Sequence, residues 1–235
     1  MAIPRKKLIL ALDTSDSPFI KHLIKILAVK VGMFKVGSQA FTAFGPSLIS
    51  EIQDAGGNVF LDLKYHDIPN TVGSAVEEAA RLGVSLLTVH AAGGRKMLEE
   101  TAKRLKHAPG PVPGRQTQAV AVTVLTSLDK NDFSELGISR SMEDQVLQMA
   151  NLAKECGLSG VVASPMEVEW LRKNLGPDFT IVVPGIRPAE AGLDDQKRIA
   201  TPAEAITRGA SYIVVGRPIL KANDPVQAIE EILGS

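Results

Sequence analysis

The chain has 235 residues, 45% of them hydrophobic and 22% charged, with 26 basic side chains balanced by 26 acidic ones. A neutral globular composition of this length buries a substantial core and offers no basic surface for nucleic acid or an anionic membrane. The single cysteine, Cys156, excludes an internal disulfide framework and fits a reducing compartment.

At the N-terminus, MAIPRKK is basic, but the apolar run after it, LILAL, is too short for a secretory leader and is cut off by Asp13. No later stretch approaches the length of a membrane span. A soluble, cytoplasmic protein is the expectation. Strands are expected at LILALD (8–13), MFKVG (33–37), NVFLDLK (58–64), SLLTVHA (85–91), AVAVTVLT (119–126), GVVAS (160–164), FTIVVPGI (179–186) and SYIVVG (211–216). These are mostly continuous apolar runs, the pattern of parallel strands covered on both faces.

Between them lie amphipathic segments such as PFIKHLIKILA, PSLISEIQDAG, VGSAVEEAARLG, GRKMLEETAKRLKHA and MEDQVLQMANLAKECG, several ending at glycine. The last, DPVQAIEEIL, opens with an Asp cap and a proline in its first turn. Eight strands alternating with helices predict a single (β/α)8 barrel domain over residues 1–235 rather than an open doubly wound sheet. No glycine-rich dinucleotide fingerprint follows the first strand. Two connections, at about 126–142 and 184–202, are longer than a barrel requires. Both follow strands and so belong to the C-terminal face, where barrel enzymes keep their sites.

The polar residues gather at the same face. Asp13 ends the first strand, Lys35 sits in the second, Asp62 and Lys64 end the third, His90 the fourth and Thr126 the fifth. Arg187 follows the seventh, and Gly216 and Arg217 close the eighth. The densest string is DLKYHD, with Asp62, Lys64 and Asp67 in six positions. Alternation along a strand points Asp62 and Lys64 to one side. A structural ion pair is the plain alternative, but desolvation can cancel the Coulomb gain of a buried pair, and four alternating charges would need much compensation. Gly216 and Arg217 stand where barrels commonly grip a phosphate, and Arg187 and Gln196, in the preceding long connection, could close on the same anion.

Other residues invite other readings. Asp13, Asp62, Asp67 and His90 could form an oxygen-rich Mg²⁺ site, but two interleaved lysines neutralise the carboxylates a metal would need. His22 and His107 fall on helices with no ligand spacing, and His66 lies inside the charged string. Trp170 is expected to pack, and Cys156 to be a buried thiol at a helix end.

The string DLKYHDIPNTV resembles the signature of the orotidine 5'-phosphate decarboxylase family, whose aromatic position is often Phe rather than Tyr65. The resemblance runs through the chain: ALDTSD opens it, FKVG, TVHAAGG, VTVLTS and PGIRP follow in order, and VVGRPI closes it. It implies a homodimeric barrel that converts orotidine 5'-monophosphate to uridine 5'-monophosphate and CO2, the last step of de novo pyrimidine nucleotide synthesis, with no metal or organic cofactor. Lys35, Asp62 and Lys64 would form the charged array with Lys64 as proton donor, and Asp67 with Thr71 would complete the neighbouring subunit's site. Asp13 and Lys35 would hold the ribose, Thr126 or Ser127 the pyrimidine edge, and Gln196, Gly216 and Arg217 the phosphate. Arg187 matches a further ligand-contacting position. Related barrels such as the ketogulonate-phosphate decarboxylases share Asp-x-Lys-x-x-Asp but continue differently and use a metal. A metal-dependent sugar-phosphate lyase is therefore the alternative.

Overall fold

Eight short strands pair in parallel and in sequence order: β1 (Leu8–Ala11), β2 (Met33–Gly37), β3 (Val59–Tyr65), β4 (Leu86–His90), β5 (Gln118–Val122), β6 (Gly160–Val162), β7 (Thr180–Val183) and β8 (Tyr212–Val215). β8 returns to β1, so the sheet closes into a barrel with no free edge. The computed structural model describes residues 2–112, 114–187 and 200–234. The helices are α1 (Ser17–Leu27), α2 (Ser38–Phe44), α3 (Pro46–Asp54), α4 (Pro69–Arg81), α5 (Gly94–His107), α6 (Lys130–Glu135), α7 (Met142–Glu155), α8 (Val168–Leu175), α9 (Pro202–Thr207), α10 (Arg217–Leu220) and α11 (Pro225–Gly234).

The two-residue period of each strand divides the core into two parts. Outward-facing residues such as Leu8, Leu10, Phe34, Val36, Leu61 and Leu87 pack with helix residues such as Leu23, Ile49, Val76 and Leu98. Inward-facing Ile9, Met33, Phe60, Leu86, Val120, Val182 and Val214 make a separate cluster that plugs the barrel. One step further toward the C-terminal face, the inward positions become Lys35, Asp62 and Thr88. The interior therefore changes from apolar filler to charge within a single layer.

The expected strands are all present, with differences at their ends. β5 stops at Val122, leaving Thr126 in the connection beyond it. The cause is β6, which spans three residues and pairs with β5 only as far as Val122 opposite Val162. Asp13 likewise lies two residues past the end of β1. The connection at 126–142 carries α6, started by a reciprocal cap between Asp129 and Asp132. α2 follows β2 directly at Gly37 and was not anticipated as a separate helix. Trp170 packs against the core, His22 and His107 are exposed, and Cys156 is buried. Among the described residues no helix is long and apolar enough to cross a membrane.

At the base of the barrel Arg172, on α8, holds the starts of β7 and β8. Its guanidinium donates to the carbonyls of Gly176, Pro177, Phe179 and Gly209 and to the Ser211 hydroxyl, at 2.7–3.1 Å. Arg172→Ala would strand several part-buried acceptors, so urea unfolding should register a loss of about 2–3 kcal/mol. Because these contacts lie at the face opposite the polar cluster, turnover by the folded variant should stay within about threefold of the native rate.

Candidate active site

Seven of the strand ends surround a cavity of about 530 Å³ at the C-terminal face. Asp13, Lys35, Asp62, Lys64, Thr126, Arg187, Gly216 and Arg217 all line it, against an apolar wall that includes Val122, Leu125, Val162, Val182 and Val214. A concave space with an apolar wall and convergent polar groups has the form of a small-molecule site, and its volume suits one.

Asp62 is the hub. Its side chain is only 13% exposed. Oδ1 accepts from Lys64 Nζ at 2.9 Å and from the Thr88 hydroxyl at 3.0 Å, and Lys35 Nζ stands 3.6 Å from Oδ2. Lys35 in turn donates to Asp13 Oδ1 at 2.8 Å. Burial pushes the Asp62 carboxyl upward, but the charges of Lys35 and Lys64 and the hydrogen bonds from Lys64 and Thr88 overcome it and hold the group below its ordinary value. Asp62 is thus an anion at neutral pH, held between two ammonium groups.

The backbone that carries this pair is irregular. β3 and β4 run in register to Leu61 opposite Leu87, then resume at Tyr65 opposite Val89, so β3 contains two more residues than its neighbour over that span. Within the bulge Lys64 has φ of 52°, the only positive φ of a non-glycine residue among those described. Bulges and such strained residues concentrate next to active sites, where they re-aim a side chain.

The placement of the remaining expected residues is mixed. Asp67 is exposed, its Oδ1 taken by the Ile68 N–H at 2.6 Å, and Thr71 is exposed on the first turn of α4. Neither lines the cavity of its own chain, nor does Ser127. Gln196 lies outside the described residues. His66 stacks on His90 with ring centroids 5.3 Å apart.

A family model described as orotidine 5'-phosphate decarboxylase / HUMPS family matches residues 6–232. The chain belongs to that family. It is 50% identical over 230 residues to the orotidine 5'-phosphate decarboxylase of Geobacter sulfurreducens, covering 97% of this chain and 95% of the relative. It is 48% identical over 229 residues to that of Moorella thermoacetica, covering 97% and 91%. Among solved structures, the orotidine 5'-phosphate decarboxylase of Lactobacillus acidophilus superposes with a TM-score of 0.84 at 39% identity over 96% of each chain.

Two residues that shape this family member's site escaped the sequence reading. A Cβ on Gly37 would fall 2.9 Å from Lys35 Nζ and 3.3 Å from Asp13 Oδ1, so a side chain there would push that ion pair aside. Its signal was a glycine two positions after a lysine in an apolar strand. Thr88 is fully buried, and its only signal was one hydroxyl in the run SLLTVH.

His90 carries a pH dependence. Burial, the charge of His66 and that of Lys64 hold it below the usual imidazole range. Its Nδ1 accepts the Ala92 N–H at 3.3 Å, which requires that nitrogen to be unprotonated. A base whose pKa is lowered on folding stabilises the fold above its unfolded value, about 6.5, and loses that contribution as the pH falls below it. The urea midpoint should therefore drop more between about pH 7.5 and about pH 5.5 in the native chain than in His90→Asn, which keeps an acceptor without a titrating ring. Parallel declines would remove His90 from the account.

Proposed function

We propose that this chain decarboxylates orotidine 5'-monophosphate to uridine 5'-monophosphate and CO2 without a metal or organic cofactor, supplying pyrimidine nucleotide synthesis in the cytoplasm. The observation that carries the reading is the Lys35–Asp62–Lys64 cluster at the mouth of the cavity, in a chain half identical to proteins bearing that name.

The chemistry explains why such a cluster is needed. Departure of CO2 from carbon 6 of the pyrimidine leaves a pair of electrons in an sp² orbital, in the plane of the ring and outside its π system. No ring resonance spreads that charge, so a fixed positive group aimed at the carbon must stabilise it. Lys64 is that group and the proton donor that ends the reaction. The contact at 2.9 Å with Asp62 holds its ammonium before substrate arrives. Asp62 also places negative charge beside the scissile carboxylate, a repulsion relieved as neutral CO2 leaves. The two ammonium groups that flank Asp62 also occupy the oxygens a metal ion would need, which favours the cofactor-free route over a metal-dependent sugar-phosphate lyase.

Binding falls to the surrounding rim. Asp13 and Lys35 hold the ribose hydroxyls, and Thr126, with Ser127 beside it, meets the pyrimidine edge. The phosphate is held by the Gly216 N–H, Arg217, Arg187 and Gln196. The outward stance of Asp67 and Thr71 supports a homodimer in which these two residues enter the partner subunit's site.

Two measurements test the reading. In excess EDTA, purified protein should rapidly bleach the orotate chromophore of orotidine 5'-monophosphate, and Lys64→Ala should slow this by roughly 10⁴-fold or more, since it removes both charge stabilisation and the proton donor. A requirement for Mg²⁺ would overturn the cofactor-free route. For the shared site, Lys64→Ala and Asp67→Ala proteins, each inactive, are mixed in equal amounts and left to exchange subunits. Half of the dimers are then mixed and one of the two sites in each is intact, so about a quarter of the native activity should return. No recovery after demonstrated exchange would place Asp67 in its own subunit's site or outside catalysis.

A further inference from the structure

We propose that Thr88, which does not reach the cavity, is a positioning residue for the reaction: its single hydroxyl locks the Lys64 backbone and the Asp62 carboxylate into one closed ring of hydrogen bonds. The inference rests on the reading of Asp62 and Lys64 as the reacting pair.

The ring is explicit in the geometry. The Lys64 amide donates to Thr88 Oγ1 at 2.8 Å, and that hydroxyl donates to Asp62 Oδ1 at 3.0 Å. Lys64 Nζ closes the loop on the same oxygen at 2.9 Å. Because Oγ1 accepts a hydrogen bond from the Lys64 amide, its own hydrogen is directed away, toward Asp62, and the two bonds polarise each other. Lys64 is therefore tied to Asp62 twice, through its side chain directly and through its backbone by way of Thr88.

This arrangement answers a need created by the bulge. A lysine at φ of 52° lies outside the ladder, so its N–H has lost its place in the sheet and must be satisfied elsewhere. A valine or leucine at position 88 would pack as well in the strand but leave that N–H without a partner. The β-branched side chain of threonine also restricts χ1, so the hydroxyl is held in place at little entropic cost. Thr88 is absent from the cavity wall and fully buried, which separates its role from any contact with substrate.

The charged groups facing Asp62 are Lys35 from β2 and Lys64 from its own strand, with Asp13 reached through Lys35 and His90 two residues beyond Thr88 on β4. All of these charges are still present when the Thr88 hydroxyl is removed. Loss of a hydrogen bond to the ionised carboxylate raises the pH at which Asp62 takes a proton, because the charged form alone gained from it.

Thr88→Val and Thr88→Ser are compared with the native enzyme in the orotidine 5'-monophosphate assay across the acid range. Thr88→Val should lower kcat about 10- to 100-fold, the worth of a hydrogen bond to a charged group, with KM within about threefold. Its acid limb should shift to higher pH. Thr88→Ser, which restores the hydroxyl, should recover kcat to within about threefold and return the acid limb. Native kcat in Thr88→Val, an equal loss in both variants, or a loss confined to KM would each overturn the proposal. If Thr88→Val does not fold, Thr88→Cys, with a weaker donor of similar size, takes its place with the same split expected. Failure of both to fold beside a native Thr88→Ser would make the hydroxyl a folding requirement and likewise overturn the positioning role. Lys64→Ala in the same assay keeps the two readings apart: if it retains turnover, the reacting pair is misassigned, whereas a dead Lys64→Ala with a normal Thr88→Val removes only Thr88.

Discussion

Everything at the C-terminal face depends on keeping one carboxylate ionised where water is scarce. Asp62 follows directly on an apolar plug, and burial alone would drive it toward its neutral form. Lys35 and Lys64 prevent this, one from the adjacent strand and one from the same strand. The arrangement is costly as a stabilising device, since desolvating Asp62 and Lys35 offsets much of what the attraction returns. It makes sense where the charges must already be in place before the reaction generates another. The barrel supplies what such a cluster requires: side chains from different strands, held by a closed sheet, converging on one rim.

The same constraint accounts for the irregular backbone. A regular β3 would set Asp62 and Lys64 on one face, two residues apart along the strand, with side chains projecting in parallel. The bulge rotates Lys64 out of the ladder, to a φ of 52°, with its ammonium 2.9 Å from Asp62. That rotation frees an amide, and Thr88 on β4 takes it up. A second accommodation occurs at Gly37, where the absence of a side chain admits the Lys35–Asp13 contact. Both devices serve the charged cluster, and each is a single residue: Thr88 on the strand beside the bulge, Gly37 at the end of the strand that carries Lys35.

These dependencies explain which parts were legible in the sequence. The barrel was, because its signal is repetitive: continuous apolar strands alternating with amphipathic helices are imposed by burial on both faces. The charged residues were also legible, because charge at the end of a buried strand violates the pattern around it. Strand ends were not. Where β5 stops is decided by the length of β6, and no residue in AVAVTVLT records it. Thr88 and Gly37 were passed over for a related reason. A threonine suits a strand and a glycine suits a strand end, so neither breaks a local rule; their meaning depends on a neighbouring strand brought alongside by the closed sheet. Alternation placed Asp62 and Lys64 together correctly, although the structure achieves their contact through a departure from alternation.

The string DLKYHD combines two structural regimes. Asp62 and Lys64 belong to the strand and its bulge, where pairing of Asp62 with β2 and the resumed pairing of Tyr65 with β4 fix the backbone on either side. Pairing ends at Tyr65, and the residues after it turn toward solvent before α4 begins at Pro69. Asp67 therefore cannot be aimed at its own cavity by the sheet that aims Asp62. In the proposed dimer this becomes an advantage. The barrel presents one half of the string inward and the other half outward, so a single segment serves two sites. Each subunit then lends a carboxylate that its own fold cannot deliver, and an isolated chain would hold an ordered but incomplete array. On that reading dimerisation is part of the chemistry, and the short spacing between Lys64 and Asp67 couples the strain at the bulge to the surface that meets the partner.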